Sequence, residues 1–184
     1  MTSRDSTSKI TPVEEPDHVD RFLERLAEVL PDVDPAVEGI VDRVMGISRR
    51  FKRIMEETLS GFDLTWGEYQ VLGALRQAGP PYRSTPGRLA GWTELSSGAM
   101  TNRLDRLEKA GHIQRLPDPD DRRGVLVELT PKGRKVYNDA VGVQAHKEAL
   151  VAAALGEAEK DELNALLRRL MREFERREEK EERA

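Results

Sequence analysis

Apolar side chains recur at helical spacing through most of this chain. Between Asp17 and Leu30 the positions Val19, Phe22, Leu23, Leu26, Val29 and Leu30 follow the three-four rhythm of a short amphipathic helix. A Pro-Asp-Val-Asp-Pro break follows, in which Asp34 can cap the next helix and Pro35 can occupy its first turn, where a missing N–H costs nothing. From there Val37, Ile40, Val41, Val44, Ile47, Phe51, Ile54, Met55 and Leu59 carry one stripe to Gly61, with Arg49, Arg50 and Arg53 on a solvated opposite face. Thr65-Trp66-Gly67-Glu68 reads as a capping box, threonine and glutamate each satisfying a free backbone donor of the other. A helix therefore begins near Thr65, runs through Tyr69, Val71, Leu72 and Leu75, and stops before Gly79-Pro80-Pro81. Ser84-Thr85-Pro86 starts a short helix with Leu89 and Ala90, and Thr93-Glu94 joins it tightly to the next.

That next helix, from Ser96 to Ala110, places Leu104 and Leu107 on one face and crowds Thr101, Asn102, Arg103 and Arg106 on others. Ser96 can cap its start, and Gly111 can end it in a left-handed turn. Hydroxyl, amide and guanidinium groups on about four turns of helix are the chemistry that reads base edges and phosphates in a major groove, although the same pattern also suits a solvated amphipathic helix. Two short helices with a turn between them suggest helix-turn-helix. Ile113 to Leu116 and Val125 to Leu129 then alternate as strands around Pro-Asp-Pro-Asp-Asp-Arg-Arg-Gly, a β-hairpin with a charged tip. Thr130-Pro131 caps a helix that continues through Val136, Tyr137, Ala140, Val141 and Leu150 to Leu155. The last helix, from about Glu157, sets Leu163, Leu166, Leu167, Leu170, Met171 and Phe174 at coiled-coil-like intervals.

The expected fold class is mainly α with a small β-hairpin wing. Residues 1–16 read as a disordered tail, 17–60 as N-terminal helices, 61–135 as a DNA-binding module, and 136–184 as C-terminal helices. The leucine stripe of the last helix is too far from the middle module for one chain to cover, so a homodimer is expected, joined by the first and last helices.

Composition narrows the function. The 184 residues are 38% hydrophobic and 35% charged and include no cysteine, which excludes disulfides, thiolate metal sites and thiol redox sensing. No apolar run reaches membrane-helix length and the first residues lack a signal-peptide core, so a cytoplasmic protein without membrane contact is expected. The formal net charge is −4, yet from Arg83 to Lys135 eleven Lys and Arg face seven acids, a local excess of four positive charges. Local charge sets the electrostatic footprint, so the acidic total does not exclude DNA. His18, His112 and His146 lie in three different elements without metal spacing, and no nucleophile elbow, phosphate loop or dinucleotide fingerprint occurs. No metal, cofactor or catalytic site is expected. Trp66 and Trp92, near helix ends, are read as core residues. The alternative to a DNA-binding protein is a helical interaction module without DNA affinity, which a salt-sensitive retention on a DNA column would separate.

The stretch RLDRLEKAGHIQRLPDPDDRRGVLVELTPKGR, together with the element order around it, resembles the MarR family of dimeric transcriptional regulators over roughly residues 35 to 175. The resemblance implies a winged helix-turn-helix with long dimerisation helices, not an enzyme, that binds double-stranded DNA as a ligand-responsive regulator, expected to be a repressor of a palindromic operator. It makes Ser96, Ser97, Thr101, Asn102, Arg103 and Arg106 groove-facing candidates, with Arg122 and Arg123 at the wing tip and Asp121 as the carboxylate that orients Arg123. A narrow minor groove concentrates negative potential and would attract such an arginine; the competing reading is a tip whose charges neutralise one another.

The extra N-terminal helix resembles the urate-responsive branch, whose pairing of an acid with two arginines falls by motif on Glu68, Arg103 and Arg115. Glu68 can equally serve wholly in its capping box. Glutamate stands where that branch has aspartate, and Leu30 where it has tryptophan. The expected effector is therefore a small anionic or phenolic molecule other than urate, bound by Glu68, Arg103 and Arg115 with Phe51, Met55, Trp66 and Tyr69 as apolar wall.

Overall fold

All but the last of the described helices begin where a side chain takes up backbone donors that the first turn leaves free. The computed structural model describes residues 15–121 and 124–183. The expected tail lies outside them except for Glu15 and Pro16, and so do Arg122 and Arg123 at the expected wing tip. The elements are α1 (His18–Val29), α2 (Pro35–Ser60), α3 (Trp66–Gln77), β1 (Arg83–Ser84), α4 (Pro86–Thr93), α5 (Ser97–Lys109), β2 (Ile113–Pro117), β3 (Val125–Leu129), α6 (Pro131–Ala152) and α7 (Glu157–Glu181). Asp17, Thr65, Thr85, Ser96 and Thr130 each accept a backbone N–H of the helix they precede, and Asp34 accepts from Ala36 at 2.9 Å. Such a cap is worth about 1 kcal/mol.

The chain divides within α2 into two compact units, one ending at Lys52 and one beginning at Arg53. In the first, Asp17 and Asp20 close a capping box on α1, and Arg43 of α2 reaches both carboxylates, at 3.1 and 2.6 Å. Partial desolvation pushes the Asp17 carboxyl up, but the hydrogen bonds from Asp20 N–H, Arg43 and Val19 N–H outweigh it and hold its pKa at about 2. Val19 is the buried residue of α1.

In the second unit α3, α4 and α5 close around Val71, Leu72, Leu75, Leu89, Met100, Leu104 and Leu107, each at most 1% exposed. The hairpin β2/β3 completes this core through Ile113, Val127 and Leu129, in a register running from Ile113↔Leu129 at its base to Pro117↔Val125 toward the tip. β1 adds a third antiparallel strand, giving the order β1-β3-β2, with Arg83 opposite Glu128 and Ser84 opposite Val127. Two residues are too few to show an alternating pattern, so this strand was not expected from the sequence. Gly111, at φ 75°, makes the left-handed turn between α5 and β2 that a side chain would oppose.

One feature departs from expectation and another accords with it. Trp66 and Trp92 are 49% and 55% exposed and are not core residues: both stand at helix ends on faces turned from the apolar ridge. And α7 buries no residue at all, leaving its leucine row open. Among the described residues no helix is long and apolar enough to cross a membrane.

Candidate nucleic-acid interface

Helix α5 is sorted cleanly into two sides. Met100, Leu104 and Leu107 sink into the core at 1% exposure, whereas Ser96, Ser97, Thr101, Asn102 and Arg106 stay exposed and Arg103 is half-buried. Two of the candidate readers also serve the helix itself. Ser96 Oγ accepts the Ala99 N–H at 3.3 Å, and Thr101 Oγ1 donates to the Ser97 carbonyl at 3.0 Å.

The orientation of α5 is set from α3. Glu68 is 2% exposed; one of its oxygens accepts from the Thr65 N–H (2.7 Å) and hydroxyl (2.8 Å), and the other forms an ion pair with Arg106 Nε at 2.9 Å. The capping box predicted for Thr65 and Glu68 is therefore present, and the same carboxylate ties α3 to α5. A buried acid needs such partners, because leaving a charge unpaired in the interior is expensive. Arg106 keeps 59% of its side chain exposed, so it is anchored at Nε without being withdrawn from the surface. Arg103 lies across Gly67: a Cβ there would stand 2.8 Å from Arg103 Nε, and this nitrogen is buried with no hydrogen-bond partner among the described residues.

This differs from the constellation implied by the resemblance. Among the described residues no ion pair joins Glu68 to Arg103 or Arg115. Arg115 is instead held by Asp105 (2.6 Å) and Glu108 (2.5 Å), whose carboxylates lie on the solvent side of α5 and meet it as β2 leaves the helix. The partner of Glu68 is Arg106, one turn beyond Arg103 and far from Glu68 in sequence, a pairing that no local motif announces. Asp121 is exposed near the hairpin tip; Arg122 and Arg123, the minor-groove candidates, lie outside the described residues.

The expected apolar wall is realised in part. Trp66 and Tyr69 stack at 5.7 Å, Tyr69 stacks on Tyr137 of α6 at 5.1 Å, and all three line an open cleft of 630 Å³. Trp92, Thr93, Gln70 and Gln77 also line it, and among the described residues no charged side chain does. Burial, then the neighbouring Tyr137, pushes the Tyr69 phenol up to about 12, so it stays a neutral hydrogen-bonding group. Glu68, Arg103 and Arg115 are not among the lining residues, and Phe51 belongs to the unit that ends at Lys52. Trp92 and Tyr137 were missed as site residues because the cleft joins α3, α4 and α6, which share no sequence motif.

Comparison with known proteins fits this geometry. The family model described as MarR family matches residues 64–125, from the start of α3 to the returning wing strand. The transcriptional regulator PecS of Dickeya dadantii is 31% identical over 140 residues, spanning 76% of this chain and 84% of that protein. The multiple antibiotic resistance protein MarR of Escherichia coli is 36% identical over 105 residues, 55% of this chain and 71% of that one. A crystal structure of a mutant E. coli MarR complexed with operator DNA superposes with a TM-score of 0.57 at 30% identity, covering 79% of this chain and 96% of that chain. With a winged helix-turn-helix whose polar α5 face is presented on a buried ridge, and relatives that are transcriptional regulators along most of their length, the chain belongs to the MarR family of DNA-binding transcriptional regulators.

Proposed function

We propose that the protein is a dimeric, ligand-responsive repressor, acting in the cytoplasm, that reads a palindromic operator with α5 in the major groove and the hairpin tip in the minor groove. The observation that carries this reading is the sorting of α5: an apolar ridge fixed in the core and, opposite it, exposed Ser97, Thr101, Asn102 and Arg106. Asn102 is the side chain best suited to base readout, because a carboxamide can bond an adenine edge in two places and this one has no side-chain hydrogen bond among the described residues. Arg106, steadied at Nε by Glu68, offers its remaining donors to a guanine or a phosphate. Ser96, Ser97, Thr101 and Arg103 position the helix, and Arg122 and Arg123, supported by Asp121, anchor the wing. Asn102→Ala and Arg106→Ala should each cost about 1 to 3 kcal/mol of operator affinity and relax preference at one base position. Arg123→Ala should weaken all duplexes alike and lower the salt slope by about one counterion. Equal losses with unchanged base preference in all three variants would refute this division.

The effector reading changes with the cleft. Its walls of Trp66, Tyr69, Trp92 and Tyr137 and its lack of charge support a phenolic or other aromatic effector held by stacking and by the amides of Gln70 and Gln77. Arg103 and Arg115 are better assigned to the α5 surface than to this ligand. A competition titration of phenols and aromatic acids against labelled operator tests this. Release of DNA that is blunted by Tyr69→Ala and untouched by Arg115→Ala is expected; the reverse pattern would return the site to the arginines.

A further inference from the structure

We propose a second ligand site, separate from both the α5 face and the aromatic cleft: a pocket for a phosphoryl dianion between the end of α3, Tyr82 and the start of α6. The cavity measures 320 Å³. Arg76 enters it from the last turn of α3 and Arg134 from the first turn of α6, and the two guanidiniums lie 5.2 and 5.1 Å from the centroid of the same Tyr82 ring. Both arginines are half-buried, and among the described residues neither has a carboxylate partner or a side-chain hydrogen bond. Their neighbours do: Arg83 pairs with Glu128, and Lys135 with Asp139 at 2.6 Å.

Each guanidinium carries five N–H donors in a planar fork, and a ring face engages the cation without satisfying any of them in hydrogen-bond geometry. The shared ring also holds the two guanidinium carbons within about 10 Å of each other, one screening length at 0.1 M salt, so their repulsion persists in solution. With Lys135 the pocket sets three cations against the single carboxylate of Asp139, an excess that a dianion would cancel. Arginine forks match phosphoryl oxygens two at a time, and the Asn138 amide adds an uncharged donor. Tyr82 is fixed for this role. Its backbone is left-handed, at φ 61°, and its carbonyl accepts the Leu129 N–H at 3.0 Å, which locks the residue to the end of β3.

That placement distinguishes the site from a DNA contact. Leu129 is at the base of the hairpin, opposite Ile113, whereas the tip lies past Pro117 and Val125. At about 3.3 Å per residue, the length of β3 separates the pocket from the tip offered to the minor groove.

The test uses the full chain, titrated calorimetrically with inorganic phosphate and with a sugar phosphate monoester at ionic strength held constant with chloride. Saturable binding of one anion per chain is expected. It should weaken at least about tenfold in Arg76→Gln and in Arg134→Gln, and persist in part in Arg134→Lys, which retains the charge. Whichever probe binds more tightly identifies the source as free phosphate or an organic phosphate. An unsaturable response, or one that chloride reproduces, overturns the site from the wild-type titration alone. Equal binding by the glutamine variants overturns the residue assignment. If instead those variants lower the salt slope of operator binding, the anion is the DNA backbone and the proposal fails while the DNA-binding reading stands.

Discussion

In α5 the apolar residues Met100, Leu104 and Leu107 are each 1% exposed, while in α7 Leu163, Leu166, Leu170 and Phe174 stand 44%, 47%, 44% and 61% exposed. Both helices are amphipathic and rich in charge. The difference is what their own chain places against them: α5 is roofed by α3, α4 and β2, and α7 buries nothing. One chain thus completes the packing of α5 and leaves the long helix unfinished. A continuous apolar row in water marks an interaction surface, and in a symmetric pair the same row can cover its own copy.

The largest effect that would break this contrast is at α7. Leu166→Glu combined with Leu170→Glu should abolish the proposed dimer at micromolar concentration in analytical ultracentrifugation. It should also lower operator affinity by about a hundredfold or more, because each lost leucine is worth roughly 1.5 to 3 kcal/mol of burial. A double variant that still sediments as a dimer would place the interface elsewhere.

A second test sharpens the comparison inside the folded chain. Leu104→Ala should cost about 2 to 5 kcal/mol in chemical denaturation at any protein concentration, as expected for a buried leucine. On the proposed dimer reading Leu170→Ala acts only through the partner, so its cost should be largest well above the dissociation constant and fade as protein concentration falls below it. Parallel behaviour of the two variants would erase the distinction between the helices.

The legible parts of this fold were those whose cause is local. Thr65 and Glu68 stand three residues apart, and Ser96 and Gly111 bracket α5, so caps and turn could be read from a few neighbouring residues and are observed. β1 could not be read, since a two-residue strand exists only by pairing with β3 more than forty residues away. The site shows the same division. The exposed face of α5 follows from helical periodicity, but the ion pair between Arg106 and Glu68 requires α3 and α5 to be packed. Nor does local sequence separate Arg103 from Arg106 as its partner, as both lie on the same side of the helix one turn apart. Trp66 and Trp92 were assigned to the core by their size, and the structure turns both outward into one cleft.

Glu68 yields a smaller effect. Glu68→Gln should cost about 1 to 2 kcal/mol of stability, from the weakened cap and a bridge whose arginine end is well solvated. It should reduce operator affinity with little change in base preference, since it loosens Arg106 without removing it. A shift in preference as large as that of Asn102→Ala would instead make Glu68 part of the readout.

The smallest expected effect is a pH dependence at the end of α5. Burial, then the nearby Lys132, pushes the His112 imidazole below its ordinary 6.5, against a weaker opposing pull from Glu68. Its folded pKa is the lower one, so the unfolded chain binds the proton more readily. The stability contributed by neutral His112 is present above pH 6.5 and is lost as pH falls toward the folded value. Denaturation midpoints measured between about pH 7.5 and 5.5 should decline, and His112→Asn should flatten part of that decline. An unchanged slope in the variant would remove His112 as its source.

The measurement that bears most directly on the central claim is selection of bound duplexes from a random DNA pool by the purified protein, with wild type and Asn102→Ala in parallel. The wild type should enrich an inverted repeat whose half-site centres lie about one helical turn apart, roughly 34 to 36 Å. Asn102→Ala should relax one position in each half-site and leave the spacing unchanged. Failure to enrich any sequence, or identical preferences from the two proteins, would contradict the assignment of α5 as the reading head.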